Sequence, residues 1–151
     1  MKSVVTVMKL ISLGTYVIGV NKLGKKNLMT VAWLSQISSQ PPMLSVAISK
    51  KHYTAELLEK GNLFAISALT SMQKDVARRC GSISGRDHDK LAAESVLYSQ
   101  EGLPLISQAA GYFICQVAEI AVAGDHFLYL ANVVDGKMES SDVMLYKDMV
   151  F

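Results

Sequence analysis

Short apolar runs, bounded by glycine, proline, asparagine or aspartate, dominate the chain, and their β-branched and aromatic content predicts strands rather than helices. The first is Thr15-Tyr-Val-Ile-Gly-Val20, followed by a Lys/Gly/Asn turn through Asn27. Met29 to Ser35, Met43 to Ser49 and Leu63 to Leu69 follow, and the longest pair is Tyr112 to Val122 and Phe127 to Val134. Gly124-Asp125 separates that last pair, which is the turn composition of an antiparallel hairpin. The pattern therefore predicts antiparallel neighbours, not βαβ units.

Two segments carry helix punctuation. Tyr53 to Lys60 has Glu56 early, Lys60 late and Gly61 just beyond, matching the helix dipole and a left-handed C-terminal residue. Ser71 is placed to cap a helix from Met72 to Cys80 that ends in Arg78, Arg79 and Gly81. A weaker helical turn is expected from Asp87 to Ala93. Many short strands with helices outside them predict a mainly β fold, a closed or nearly closed β-barrel with a few peripheral helices. A β-sandwich with appended helices is the alternative. At 151 residues, one domain over 1–151 is expected.

Composition adds a partner to this picture. Half of the residues are hydrophobic and the mean hydropathy is positive, so some apolar surface is expected to be buried against a cofactor or a second copy in a homodimer. A formal charge of +2, with scattered lysines, is too small for a phosphate-backbone footprint, so no nucleic acid partner is expected. Lys2 and Lys9 before the apolar run from Leu10 to Val20 imitate a signal peptide. Ser12, Gly14 and Thr15 interrupt that run, and it falls short of the roughly 18 residues that span a bilayer, so no membrane partner is expected. Cys80 and Cys115 lie in unlike contexts and imply neither a disulfide scaffold nor a metal site, which fits a reducing cytoplasm.

Candidate chemistry concentrates between Asn27 and Thr54. Asn27 and Thr30 stand where a lysine-rich turn enters a strand; the plain alternative is turn geometry for Asn27 and an outward strand position for Thr30. Trp33 reads as core. Ser49, Lys50, Lys51 and Thr54 follow the next strand and precede a helix, where free N–H groups and a positive partial charge favour an anionic phosphate; simple capping by Ser49 or Thr54 is the alternative. Similar chemistry recurs in Cys80-Gly-Ser-Ile-Ser-Gly-Arg-Asp-His-Asp-Lys90, where Gly81 and Gly85 allow close backbone approach and Arg86 to Lys90 reads as a solvated charge cluster. Cys80 reads as exposed but without a base beside it. His126 lies alone in the hairpin turn. No zinc pattern, Rossmann or Walker glycine motif, or GxSxG elbow is present.

Taken together, Asn27-x-Met29-Thr30-x-x-Trp33, the Ser-x-x-Pro-Pro spacer, the apolar strand ending in Lys50, the Ser-Gly-Arg-Asp-x-Asp-Lys loop and Gly-Asp-His resemble the flavin reductase-like family over residues 14 to 135. Leu145-Tyr146 through Phe151 also resembles the family's closing segment. Ala32 stands where serine is common. The resemblance implies an FMN-binding split β-barrel of Greek-key type, a homodimer, and transfer of hydride from NADH or NADPH to FMN or FAD. By the same resemblance, Asn27, Met29, Thr30, Val31 and Ala32 line the ring and ribityl chain. Ser49, Lys50, Lys51 and Thr54 hold the phosphate, Ser82, Ser84 and Gly85 close the pocket, and His126 faces the nicotinamide. An FMN-bound electron carrier serving a redox partner protein is the alternative function, and a binding module for haem or another flat ligand is a third.

Overall fold

A computed structural model describes residues 2–149. The chain opens with helix α1 (Lys2–Val7) and a 3-10 turn over Met8–Leu10, both carrying exposed apolar side chains. Strands β1 (Tyr16–Lys22), β2 (Lys25–Val31), β3 (Leu34–Ser39) and β4 (Pro42–Ser49) follow, then α2 (Tyr53–Leu57), β5 (Leu63–Ala68) and α3 (Lys74–Ser82). After a 3-10 turn at Lys90–Ala93 come β6 (Val96–Tyr98), β7 (Pro104–Ile106), β8 (Gly111–Ala123) and β9 (His126–Met138). Another 3-10 turn, Tyr146–Asp148, lies near the C-terminus, and Leu145 bridges back to Gly14. The final Val150 and Phe151 of the expected closing segment lie outside the described residues.

Seven strands form one antiparallel sheet in the order β2-β1-β5-β8-β9-β4-β3, and β6 and β7 form a separate ribbon. Val31 of β2 and Val46 of β4, near opposite ends of that order, belong to one core with Ile18, Phe64, Ile66 and Tyr129. The sheet therefore rolls on itself as a nearly closed barrel around that core, although β2 and β4 form no ladder among the described residues. A second core holds α3 against the outside of β1 and β2 through Val17, Leu28, Ala77 and Cys80. No helix among the described residues is long and apolar enough to cross a membrane.

The expected strands and the Gly124-Asp125 hairpin are present, with Ala123 paired to His126 across the turn. Several boundaries move. The first turn is only Leu23-Gly24, both at positive φ, so Asn27 sits inside β2 and not in a turn. The expected strand from Met29 to Ser35 is instead broken at Ala32-Trp33, where the Leu34 N–H bonds the Ala32 carbonyl and the chain bends from β2 into β3. Helix α2 stops at Leu57, and α3 begins at Lys74 because Ser71 spends its N–H and hydroxyl on Asp142. Gly81 lies within α3 instead of after it.

Gly19 shows how tightly the outer ribbon is seated. A side chain there would run into the Pro104 carbonyl oxygen of β7, a backbone atom that cannot swing aside. Gly19→Ala should lower stability by about 1 to 3 kcal/mol through overpacking. Denaturant unfolding would register this as a lower midpoint, and an unchanged midpoint would show that the ribbon yields freely.

Candidate functional site

Two adjoining cavities open where β2 fails to meet β4. The first, about 260 Å³, is lined by Met29 to Trp33 on one side and Ala47 to Ser49 on the other, with His52, Gly81, His126 and Tyr146 completing the wall. The second, about 310 Å³, is lined by Lys51 to Tyr53, Cys80 to Asp87 and Lys90. Met29, Thr30, His52 and Gly81 line both, so the two form one continuous cleft. One end is walled mainly by apolar and aromatic groups, and the other by hydroxyls, ammonium and guanidinium groups.

At the apolar end, Trp33 is 54% exposed and its ring centroid lies 4.5 Å from that of His126, tilted by 33°. It is therefore a cleft wall and not the core residue its hydrophobicity suggested, because the bend at Ala32-Trp33 carries it off the strand. The hairpin places Asp125 beside His126, with Nδ1 and Oδ1 2.7 Å apart. The imidazole hydrogen bond holds the Asp125 carboxyl below its ordinary range. His52, at the junction of the cavities, has its pKa pushed below the ordinary histidine value by partial burial, then by the charges of Lys90 and His126.

The expected site residues divide into those that line the cleft and those that support it. Met29, Thr30, Val31, Ala32, Ser49, Lys51, Ser82, Ser84, Gly85 and His126 line it. Asn27 and Thr54 do not: both are buried, and Asn27 Nδ2 donates to Thr54 Oγ1 at 2.9 Å, joining β2 to α2 beneath the cleft floor. Gly85 rests on that pair, since any side chain there would collide with Asn27 Oδ1. Lys50 also lies outside both linings, with its ammonium 5.6 Å from the Phe127 ring centre. Helix α2 has only five residues, so the expected anion site at its N-terminus has little dipole behind it. Cationic side chains supply the positive field instead.

Cys80 is 0% exposed and so differs from the exposed thiol its Gly/Ser neighbours suggested: it packs on the inner side of α3. Burial pushes the Cys80 and Cys115 thiols up to about 12. The charge cluster from Arg86 to Lys90 is also only partly solvated. Arg86 to Asp89 are exposed, but Lys90 is 5% exposed and donates to the Cys80 carbonyl at 2.8 Å. Arg79 grips Glu94 with two bonds of 2.7 and 2.8 Å, and Arg86 pairs with Glu56, so the loop between α3 and β6 is fastened at three points. Sequence reasoning missed His52, Tyr146 and Lys90 as cleft residues. His52 had a local signal, its place in the turn between Lys51 and α2, while Lys90 and Tyr146 stand in segments that carried the family resemblance.

A flat ring bearing an anionic tail matches a cleft that is aromatic at one end and cationic at the other. The flavin reductase like domain model matches residues 8–151, and the chain belongs to that family. The chain is 31% identical over 124 residues to the high molecular weight rubredoxin of Moorella thermoacetica, covering 81% of this chain and 54% of that protein. It is 26% identical over 122 residues to the flavin reductase of Pseudomonas putida, covering 81% of this chain and 70% of the relative. Among solved structures, an FMN-binding protein from Thermus thermophilus superposes with a TM-score of 0.79 at 30% identity, covering 85% of this chain and 72% of that one. This chain thus spans only about half the length of the rubredoxin relative.

The buried thiols give a direct check on this geometry. At about pH 8 the folded protein should resist iodoacetamide for hours, because the thiolate is the nucleophile, and should take up two equivalents once unfolded. Prompt labelling of Cys80 in the folded state would contradict its burial on the inner face of α3.

Proposed function

We propose that this chain binds FMN or FAD in the cleft and acts as an NAD(P)H-dependent flavin reductase, working as a cytoplasmic homodimer. The observation that carries this reading is the continuity of the aromatic and cationic cavities. A bound flavin supplies a two-electron acceptor that takes hydride from NADH or NADPH. Met29 to Ala32 and Ser49 wall the apolar end and exclude water from a flat ring. Lys51, Ser82, Ser84 and the close backbone approach at Gly85 hold the anionic tail. Asp125 fixes the imidazole of His126, which stands with Trp33 at the rim where a nicotinamide would dock. No proton-transfer pair is required, since hydride transfer depends on position and electrostatics. Homodimer formation is supported by apolar side chains left on the long hairpin: Val122, Val134 and Met138 are 69%, 52% and 74% exposed.

A second reading, an FMN-bound carrier that hands electrons to a redox partner protein, is supported by the similarity to the high molecular weight rubredoxin. Retention of flavin through gel filtration with negligible NAD(P)H oxidation would select it.

Trp33 is the chain's only tryptophan and stands at the cleft rim, so it reports occupancy. Titration with FMN should quench its fluorescence in step with the appearance of protein-bound flavin absorbance. A chain that takes up no flavin and shows no quenching would refute the flavin reading.

His126→Ala should slow NAD(P)H-driven flavin reduction by at least about 10-fold, as expected when a docking contact is lost. Its FMN affinity should hold. Unchanged stopped-flow reduction rates would remove His126 from nicotinamide docking.

A further inference from the structure

Two apolar surfaces of this chain stand open to water away from the cleft. The first is the N-terminal arm, where Val4, Val5, Val7, Met8, Leu10 and Ile11 range from 50% exposed at Val7 to 83% at Leu10. Val4, Val7 and Met8 stand at i, i+3 and i+4, so they form one stripe along α1 and into the 3-10 turn that follows it. Such a stripe is the face by which a short helix seats in an apolar groove. The family match begins at residue 8, so α1 stands ahead of it.

The second surface is a groove of about 650 Å³ at the end of the β8–β9 hairpin away from His126. Tyr112 and Phe113 of β8, Val134 and Met138 of β9, and Val143 beyond them form its apolar wall, and none of its lining residues lines the cleft. Val134 and Met138 belong to the exposed set on which the homodimer reading rests. On the rim, Lys137 is paired with Glu139, whereas Asp135 forms no ion pair among the described residues. Lys9 of the arm forms none either. The Gly14–Leu145 bridge and the Tyr146 N–H on the Leu13 carbonyl fix the root of the arm close to Val143 along the chain. The arm nevertheless leaves its stripe in water and the groove of its own chain unfilled. A two-fold pair relieves both at once, because each arm then meets the groove of the other copy.

We propose that the N-terminal arm crosses to a second copy of this chain and seats Val4, Val7 and Met8 in the groove walled by β8, β9 and Val143. The proposal rests on the homodimer reading above and adds which surfaces meet. In a two-fold pair the exchange is reciprocal and closed, so it ends at two copies and builds no filament. Lys9, next to the stripe, brings a cation to a rim whose Asp135 lacks one. At such exposure that pair sets register more than strength.

Cross-linking between copies of the full chain is the test. Chains carrying Val7→Cys are mixed with chains carrying Val134→Cys, given time to exchange subunits and mildly oxidised; the native Cys80 and Cys115 are buried and stay out of the reaction. The mixture should give a disulfide-linked pair on a non-reducing gel, and neither variant alone should. Sedimentation supplies an independent measure: the full chain with Val4→Ser, Val7→Ser and Met8→Ser should dimerise at least about 100-fold more weakly than wild type, since three apolar side chains lose their burial. These side chains are exposed in the single copy, so the triple variant keeps its fold. An unlinked mixture, with an intrachain disulfide in a chain carrying both cysteine substitutions, would mean that the arm folds back on its own groove, and would overturn the proposal. A triple variant that dimerises as tightly as wild type would mean that hairpin packs on hairpin, overturning the proposal while the homodimer reading stands. A wild type that sediments as a monomer at every concentration would overturn both.

Discussion

Val31 and Val46 come from strands near opposite ends of the sheet order, yet they share one core. Burying the inner faces of six strands in a single apolar interior forces the sheet to roll, since flat packing would leave one of those ends in water. The roll stops short of closure. β3 turns away at Ala32-Trp33 to pair with the outer edge of β4, so β2 and β4 form no ladder among the described residues, and at the bend the Ala47 N–H donates to the Trp33 carbonyl. An open seam between strands normally exposes unpaired backbone and invites unwanted pairing. Here the seam is the cleft: its walls are Met29 to Trp33 and Ala47 to Ser49. The site is thus a direct consequence of how far the barrel closes.

The outer side of that seam is held by polar contacts. Thr30 Oγ1 donates to the Ala77 carbonyl at 2.7 Å, tying β2 to α3, while Asn27 and Thr54 tie β2 to α2. Gly85 then lets the loop after α3 descend onto Asn27, and the Arg79–Glu94 and Lys90–Cys80 contacts hold it there. A buried side-chain amide and hydroxyl that satisfy one another avoid the penalty of unpaired polar groups. Asn27 and Thr54 are therefore part of the frame on which the cleft lining is mounted.

Strand existence was legible because β-branched runs and Gly/Asn/Asp breaks are local signals, and the hairpin at Gly124-Asp125 followed directly from them. The break at Ala32-Trp33 was not, since no glycine or proline marks it. Recurrent hydroxyl and glycine residues pointed to Ser82, Ser84 and Gly85, which do line the cleft. Nothing local separates Lys50 from Lys51, although the turn sends one toward Phe127 and the other into the cavity wall. Nor does alternation of charge from Arg86 to Lys90 tell which residue will be buried, because Lys90 is selected by the folding of its loop back onto Cys80 of α3.

Burial acts on two neighbours in that contact with opposite chemical results. Desolvation disfavours whichever protonation state is charged, so it raises the Cys80 thiol to about 12 and lowers Lys90. For cysteine the outcome is a neutral, unreactive side chain, which removes the one obvious nucleophile of the cleft. For lysine burial disfavours the charged form, and the ammonium keeps a neutral acceptor, the Cys80 carbonyl. The same α3 surface thus disfavours the charged form of both groups. A cleft so arranged has the means to grip and orient a ligand and few means to attack it, which is the division of labour expected where the bound group carries the chemistry.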